Sequence, residues 1–146
     1  MNIEISIIIP IYNADKFLSE CLDSIIAQDY DLWKCVLIND GSTDKSLDIC
    51  QSYQKKDSRF IIINQKNLGS NAARQQGINL ATEKNPNGLI TFIDADDIID
   101  KNYLSKMFEP FTLQDNYDVD VVYCQDLAFK DSISLKDQIS QNQILK

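Results

Sequence analysis

Asp94, Asp96 and Asp97 place three carboxylates within four residues, with Ala95 between them, directly after the apolar run Leu89–Ile93. Carboxylates that close repel one another unless water or a bound cation relieves them. A hard divalent ion takes oxygen ligands, and Mg²⁺ commonly uses one or two carboxylates together with substrate phosphates. The competing reading is a solvated turn whose last Asp caps the next helix. Asp40 also follows an apolar run, where an acidic side chain can accept from a base N–H or a ribose hydroxyl. Its neighbours Asn39, Gly41 and Ser42 would equally suit a plain turn. Tyr12 offers a ring for stacking on a base or for packing. Arg74 carries a guanidinium suited to a diphosphate, to the Asp cluster, or to an ordinary surface ion pair.

These residues can act together only if the elements between them bring them to one place. Ile5–Ile9 reads as a strand buried on both faces and stopped by Pro10. From Asp15 to Gln28 the apolar residues Phe17, Leu18, Cys21, Leu22, Ile25 and Ile26 fall on a helical stripe. The alternation repeats with a strand at Val36–Ile38, a helix from about Asp44 turning Leu47, Cys50 and Tyr53 inward, and a strand at Phe60–Ile63. A third helix spans Ser70–Ala81 with Ser70 as N-cap and Ala73, Gly77, Leu80 and Ala81 on one face. Leu89–Ile93 is the next strand, followed by a helix over about Lys101–Phe108 and a strand at Val119–Tyr123, with right-handed crossovers. The fold class expected is α/β, a mostly parallel sheet with helices on both faces. In such a sheet ligands bind beyond the carboxyl ends of the strands. Those ends deliver Pro10, Tyr12 and Asn13, then Asp40, then Asn67 and Gly69, then Asp94, Ala95 and Asp96.

Composition narrows the ligand. The 146 residues suit a single domain, and 14 basic against 22 acidic side chains give a net charge of −8. Such a field repels nucleic acid, so a phosphate ligand would need imported positive charge, most simply Mn²⁺ or Mg²⁺. The sequence has no histidine, which removes a Ser/His/Asp triad and a typical zinc set. Cys21, Cys35, Cys50 and Cys124 are widely spaced and read as small packed residues. Neither GxGxxG nor GxxxxGK[ST] occurs, which weakens the dinucleotide and P-loop classes. Glu4 and Pro10 interrupt the first apolar run, so no signal peptide is read and a cytoplasmic location is expected.

Taken in order, Pro10-Ile11-Tyr12-Asn13, Asp40-Gly41-Ser42-Thr43-Asp44, Asn67-Leu68-Gly69 followed by Ala73-Arg74, and Asp94-Ala95-Asp96 resemble the motif series of the family 2 glycosyltransferases. The resemblance covers about Ile5–Asp97 and implies a Rossmann-like GT-A fold. It implies inverting, metal-dependent transfer of a sugar from a nucleoside-diphosphate donor, expected to be UDP-linked, to an acceptor hydroxyl on a glycan, lipid-linked or protein acceptor. By motif, Pro10, Tyr12 and Asp40 would surround the base, Arg74 would lie near the base or diphosphate, and Asp94 and Asp96 would serve ribose and metal, Asp96 being the direct ligand. Asn13 and Ala95 complete the nucleotide-sugar set. Gln75 departs from the Asn the family often has there, and no position matches the family's catalytic base.

The nucleotide-binding core is expected over residues 1–127. Residues 128–146 are polar and read as a weak helix or loose tail, the start of an acceptor region otherwise missing from a truncated chain. The base is then expected outside this chain, and the full-length protein could associate with the inner face of the membrane. The alternatives are a nucleotide-sugar-binding fragment without transfer activity, and a nucleotidyltransferase.

Overall fold

The structure, a computed structural model, describes residues 3–112, 121–123 and 143–145. The chain divides into two compact units, Met1–Lys101 and Asn102–Lys146. The expected core boundary at residue 127 and most of the 128–146 segment lie outside the described residues.

In the first unit, β1 (Ile5–Ile11), β2 (Trp33–Asp40), β3 (Phe60–Gln65) and β4 (Leu89–Phe92) form one parallel sheet in the order β3-β2-β1-β4. Helices α1 (Leu18–Ile26), α2 (Ser46–Lys56) and α3 (Ser70–Lys84) connect them. The two central strands are largely apolar because both faces are covered: Ile5, Ile7, Ile8, Ile9, Leu37 and Ile38 have no exposed surface. The fold is therefore the α/β, Rossmann-like parallel sheet that the alternating periods predict.

The faces follow from alternation along the strands. Ile8, Val36 and Ile38 cluster with Ala73 of α3 on one face. Tyr53 of α2 stands edge-on to Phe60, which is in register with Cys35 and so belongs to the opposite face. The Tyr53 hydroxyl donates to Asp23 of α1 at 2.6 Å, joining α1 to α2.

Contrary to the sequence reading, Pro10 does not stop β1. The strand continues through Pro10 and Ile11, which pair in register with Ile38 and Asn39 of β2. The Ile8 carbonyl accepts from Ile93 on the β4 side, so Pro10, two residues on, faces that side too. The regular β4 pairing has by then ended at Ile8↔Phe92, so the missing N–H of Pro10 interrupts no ladder.

Ser70 is likewise not the N-cap of α3: Gly69, at φ 90°, holds the cap position and no side chain caps the helix. α3 approaches the sheet through Gly77, where an added Cβ would lie 2.5 Å from Ile8 Cγ2 and 3.1 Å from Ile38 Cδ1. Both neighbours are fully buried and cannot swing aside. Gly77→Val is therefore expected to destabilise the protein by about 1–3 kcal/mol through overpacking, read as a lower urea midpoint with an unchanged slope.

The second unit contains α4 (Tyr103–Thr112) and an antiparallel pair, β5 (Val121–Tyr123) with β6 (Gln143–Leu145). Of the strand expected at Val119–Tyr123, the described residues Val121–Tyr123 form one, in a two-stranded antiparallel sheet and not in the parallel series. Part of the segment read as a weak helix or tail supplies its partner.

Candidate functional site at the carboxyl edge of the sheet

Because all four strands of the first unit are parallel, their carboxyl ends lie along one edge. The loops leaving that edge are held by side chains whose partners lie 20 to 75 residues away.

The loop after β1 is fastened to the loop after β2. Asn13 adopts φ 51°, a left-handed conformation that Asn tolerates better than most residues. Its Oδ1 accepts from the Thr43 N–H at 2.8 Å, and its own N–H donates to Ser42 Oγ at 3.1 Å. The Ala14 N–H donates to Ser46 Oγ and the Asp15 N–H to Asp44 Oδ2. Asp44 Oδ1 accepts from the Ser46 N–H, which gives α2 a side-chain acceptor at its first turn. The backbone beside Tyr12 is thereby fixed from both sides, while the Tyr12 ring is 53% exposed and free to receive a planar ligand.

Asp40 is 3% exposed and performs the same office for the loop after β3. Its Oδ1 accepts from Gln65 Nε2 at 2.7 Å and the Leu68 N–H at 2.9 Å, and its Oδ2 from the Gly69 N–H at 2.9 Å. Next to it, Gly41 sits at φ 72°, and a Cβ there would approach the Asn67 nitrogen to 2.8 Å. Two of the sequence motifs, Asp40-Gly41 and Asn67-Leu68-Gly69, are therefore in direct contact. Asp40 is an anchor of this loop, a role its position after a strand did not disclose.

Burial alone would raise the Asp40 carboxyl, but the hydrogen bonds from Leu68, Gln65 and Gly69 outweigh it and hold the group below its ordinary 3.8. In Asp44 burial is similarly outweighed by hydrogen bonds, led by Ser46. Groups lowered on folding stabilise the protein above their unfolded values, and that stability is lost as the pH falls through the folded ones. Stability is accordingly expected to drop steeply below about pH 4, and Asp44→Asn should flatten the drop. Urea midpoints between pH 7 and pH 3 check both.

The acidic loop after β4 meets α3 and α1. Arg74 Nη2 donates to Asp94 Oδ1 at 2.7 Å, so of its possible partners Arg74 takes the Asp cluster. Both side chains are partly exposed, 31% and 55%, and within reach of a ligand. Ala95 is buried, which turns Asp94 and Asp96 outward on either side of it. Asp96 is exposed, and its carboxylate has no hydrogen bond or ion pair with another described residue. The Asp97 N–H donates to the Asp94 carbonyl at 3.0 Å in a turn.

Beneath this loop Cys21 is fully buried, its Sγ 3.5 Å from the Asp94 carbonyl. Burial, with the charges of Asp97, Asp96 and Asp94 added, pushes the Cys21 thiol up to about 12, so it stays a neutral donor. Cys21, Cys35 and Cys50 are buried and unbridged, as read from their spacing; Cys124 lies outside the described residues.

Among the described residues no three His, Cys, Asp or Glu side chains gather into a metal cage. The donor set at the acidic loop is two outward carboxylates, one of them shared with Arg74. That chemistry suits a cation that keeps waters and takes phosphate oxygens, rather than an all-protein site. Sequence reasoning placed Asp44 at the start of a helix and within a motif, but it gave neither Asp44 nor Ser46 its role in fastening the loop after β1. It also missed Gln65, whose role only the pairing of β2 with β3 reveals.

Comparison with known proteins agrees with this geometry. The family model described as Glycosyl transferase family 2 matches residues 6–142. The glycosyltransferase GlyA of Streptococcus pneumoniae is 37% identical over 130 residues, covering 88% of this chain and 18% of that protein. GlyG of the same organism is 37% identical over 106 residues, covering 72% of this chain and 34% of its own length. This chain spans from 18% to 43% of the length of the curated relatives it matches. Among solved structures, TarS of S. aureus (residues 1–349) superposes with a TM-score of 0.64 at 27% identity over 74% of this chain and 32% of that one. TarS has also been solved with UDP and with UDP-GlcNAc. With the parallel sheet, the motif-bearing strand ends and a family match over nearly its whole length, this chain belongs to glycosyl transferase family 2.

Proposed function

We propose that this chain supplies the donor-binding part of an inverting glycosyltransferase that moves a sugar from a nucleoside diphosphate, most simply UDP, to an acceptor hydroxyl. The observation that carries the reading is the Arg74–Asp94 ion pair beside the uncommitted Asp96, at the same sheet edge as the exposed Tyr12 ring. The UDP and UDP-GlcNAc complexes of TarS support a uridine donor. Tyr12 would stack on the base, with Pro10 and Asn13 shaping the loop beneath it and Asp40 holding the 65–69 loop against the nucleoside. Arg74, released in part from Asp94 or reaching past it, would bind diphosphate oxygens bidentately. Asp94 and Asp96 would hold Mn²⁺ or Mg²⁺, which when bound neutralises charge on the departing diphosphate.

Such an arrangement places fixed charges where negative charge develops as the glycosidic bond breaks, and so favours the transition state over the ground state. An attacking hydroxyl opposite the leaving diphosphate would give a product of inverted anomeric configuration. Incubation with UDP-sugars, Mn²⁺ and a panel of glycan acceptors tests this, with UDP release and product configuration read by NMR. Within a longer protein that also supplies the general base, acceptor-dependent UDP release with inversion is expected, while this part alone is expected to bind UDP-sugar and release little UDP; a product of retained configuration would contradict the mechanism.

A further inference from the structure

Helix α1 and the turn that follows it carry a row of polar side chains, Cys21 and Ser24 on the helix and Gln28 just past its C-cap Ala27. All three are buried, at 0%, 9% and 6% exposure. Buried polar groups on a helix demand partners, and these find them on one segment of the chain some 70 residues later. The Cys21 thiol meets the Asp94 carbonyl at 3.5 Å. Ser24 Oγ accepts from the Ile99 N–H at 3.2 Å and donates to the Cys21 carbonyl at 2.7 Å. Gln28 Nε2 donates to the Asp100 carbonyl at 2.8 Å and to the Ser24 carbonyl at 3.0 Å. Immediately beyond the helix, the Asp29 N–H donates to the Lys101 carbonyl at 2.9 Å. The row therefore grips the acidic loop at its beginning and its end by the loop's backbone atoms, while Asp96 is exposed.

We propose that Cys21, Ser24 and Gln28 are positioning residues for the cation site, fixing the 94–101 backbone so that Asp94 and Asp96 meet a divalent ion and diphosphate in one geometry. The inference rests on the donor-site reading above. Three neighbouring carboxylates left on a loose loop would spread apart, since mutual repulsion favours separation. The α1 row opposes that spreading without adding a ligand or a charge, as hydrogen-bonded supports behind metal ligands do.

The test compares the parent chain with Gln28→Met, Ser24→Ala and the pair, measuring UDP affinity by calorimetry with and without Mn²⁺ and Mn²⁺ binding to the UDP-saturated protein by electron paramagnetic resonance. Gln28→Met keeps the side-chain volume and removes the donor; Cys21→Ser retains a donor and serves as the conservative control. The expected result is a loss of Mn²⁺-dependent UDP affinity on the order of 10-fold in the double variant, with Mn²⁺-free UDP affinity held within about twofold and the control close to the parent. Ser24→Ala alone gives a smaller loss of the same selectivity, and suffices if the double variant does not fold. Equal losses with and without Mn²⁺ would show a merely structural role and overturn the proposal, as would variants that bind like the parent. A parent chain whose UDP affinity ignores Mn²⁺ would overturn the donor-site reading itself, and the positioning role with it.

Discussion

Asp96→Asn is expected to abolish the gain in nucleotide affinity that Mn²⁺ provides while leaving the fold and the metal-free affinity unchanged. Asp96 is exposed at the carboxyl edge of the sheet, and among the described residues its carboxylate has no hydrogen bond or ion pair. Asparagine therefore removes a charge without breaking any contact seen in the protein. Asp94 cannot compensate, because one of its oxygens is held by Arg74 at 2.7 Å. The loss should be at least the ~10- to 100-fold that disturbing a metal's outer supports costs. Calorimetry with UDP at fixed Mn²⁺, beside a metal-free titration and a thermal melt, checks it. Metal-dependent affinity equal to that of the parent would remove Asp96 from the site.

Asp40→Ala is expected to have the largest effect on stability together with a loss of nucleoside binding. The carboxylate accepts three hydrogen bonds, and its removal leaves the N–H groups of Leu68 and Gly69 and the Gln65 amide without their acceptor. Leu68 and Gly69 are exposed residues, so water can replace part of what their N–H groups lose, and at about 1 kcal/mol for each of the three bonds a loss of about 3 kcal/mol is expected in all. Asn is no conservative replacement here. Both carboxylate oxygens accept from backbone N–H groups, so either orientation of an amide turns an NH₂ toward a donor. Because the 65–69 loop stands at the sheet edge, its release should weaken UDP binding even without metal. Urea unfolding and metal-free calorimetry of Asp40→Ala and Asp40→Asn measure the two effects. A variant with parental stability would show that the loop does not depend on Asp40.

Much of this architecture could be read from periodicity, because strands covered on both faces are written as apolar runs and the helices between them carry a 3.6-residue stripe. Ile5–Ile9 and Phe60–Ile63 announced β1 and β3 in this way. The errors arose where a local rule met a tertiary circumstance. Pro10 breaks a strand only if its missing N–H faces a partner, and that depends on where β4 ends. Ser70 has the chemistry of an N-cap, but Gly69 takes the position with a backbone conformation open to glycine. The pairing of β5 with β6 joins residues 20 to 24 apart and leaves no local trace. At the site, the motif positions Tyr12, Asp40, Asp94 and Asp96 could be picked out by their place after strands, and Arg74 by its guanidinium near the start of a helix. What they touch could not. That Arg74 would choose Asp94, that Asp40 would be an anchor, and that Ser24 of α1 and Gln28 just beyond it would hold the acidic loop all follow from contacts between segments 20 to 75 residues apart.

The central claim is that the carboxyl edge of the sheet binds a nucleoside diphosphate with the help of a divalent cation. It is tested most directly by the thermal stability of this chain against a panel of UDP, GDP, ADP and CDP, each with and without Mn²⁺. A ligand bound only by the folded state at a hundred times its Kd adds about 2.7 kcal/mol, a rise of roughly 5–10 °C for a protein of this size. The account predicts such a rise for UDP with Mn²⁺, a much smaller one for UDP alone, and none for Mn²⁺ alone. No shift with any nucleotide, or equal shifts with and without Mn²⁺, would contradict it.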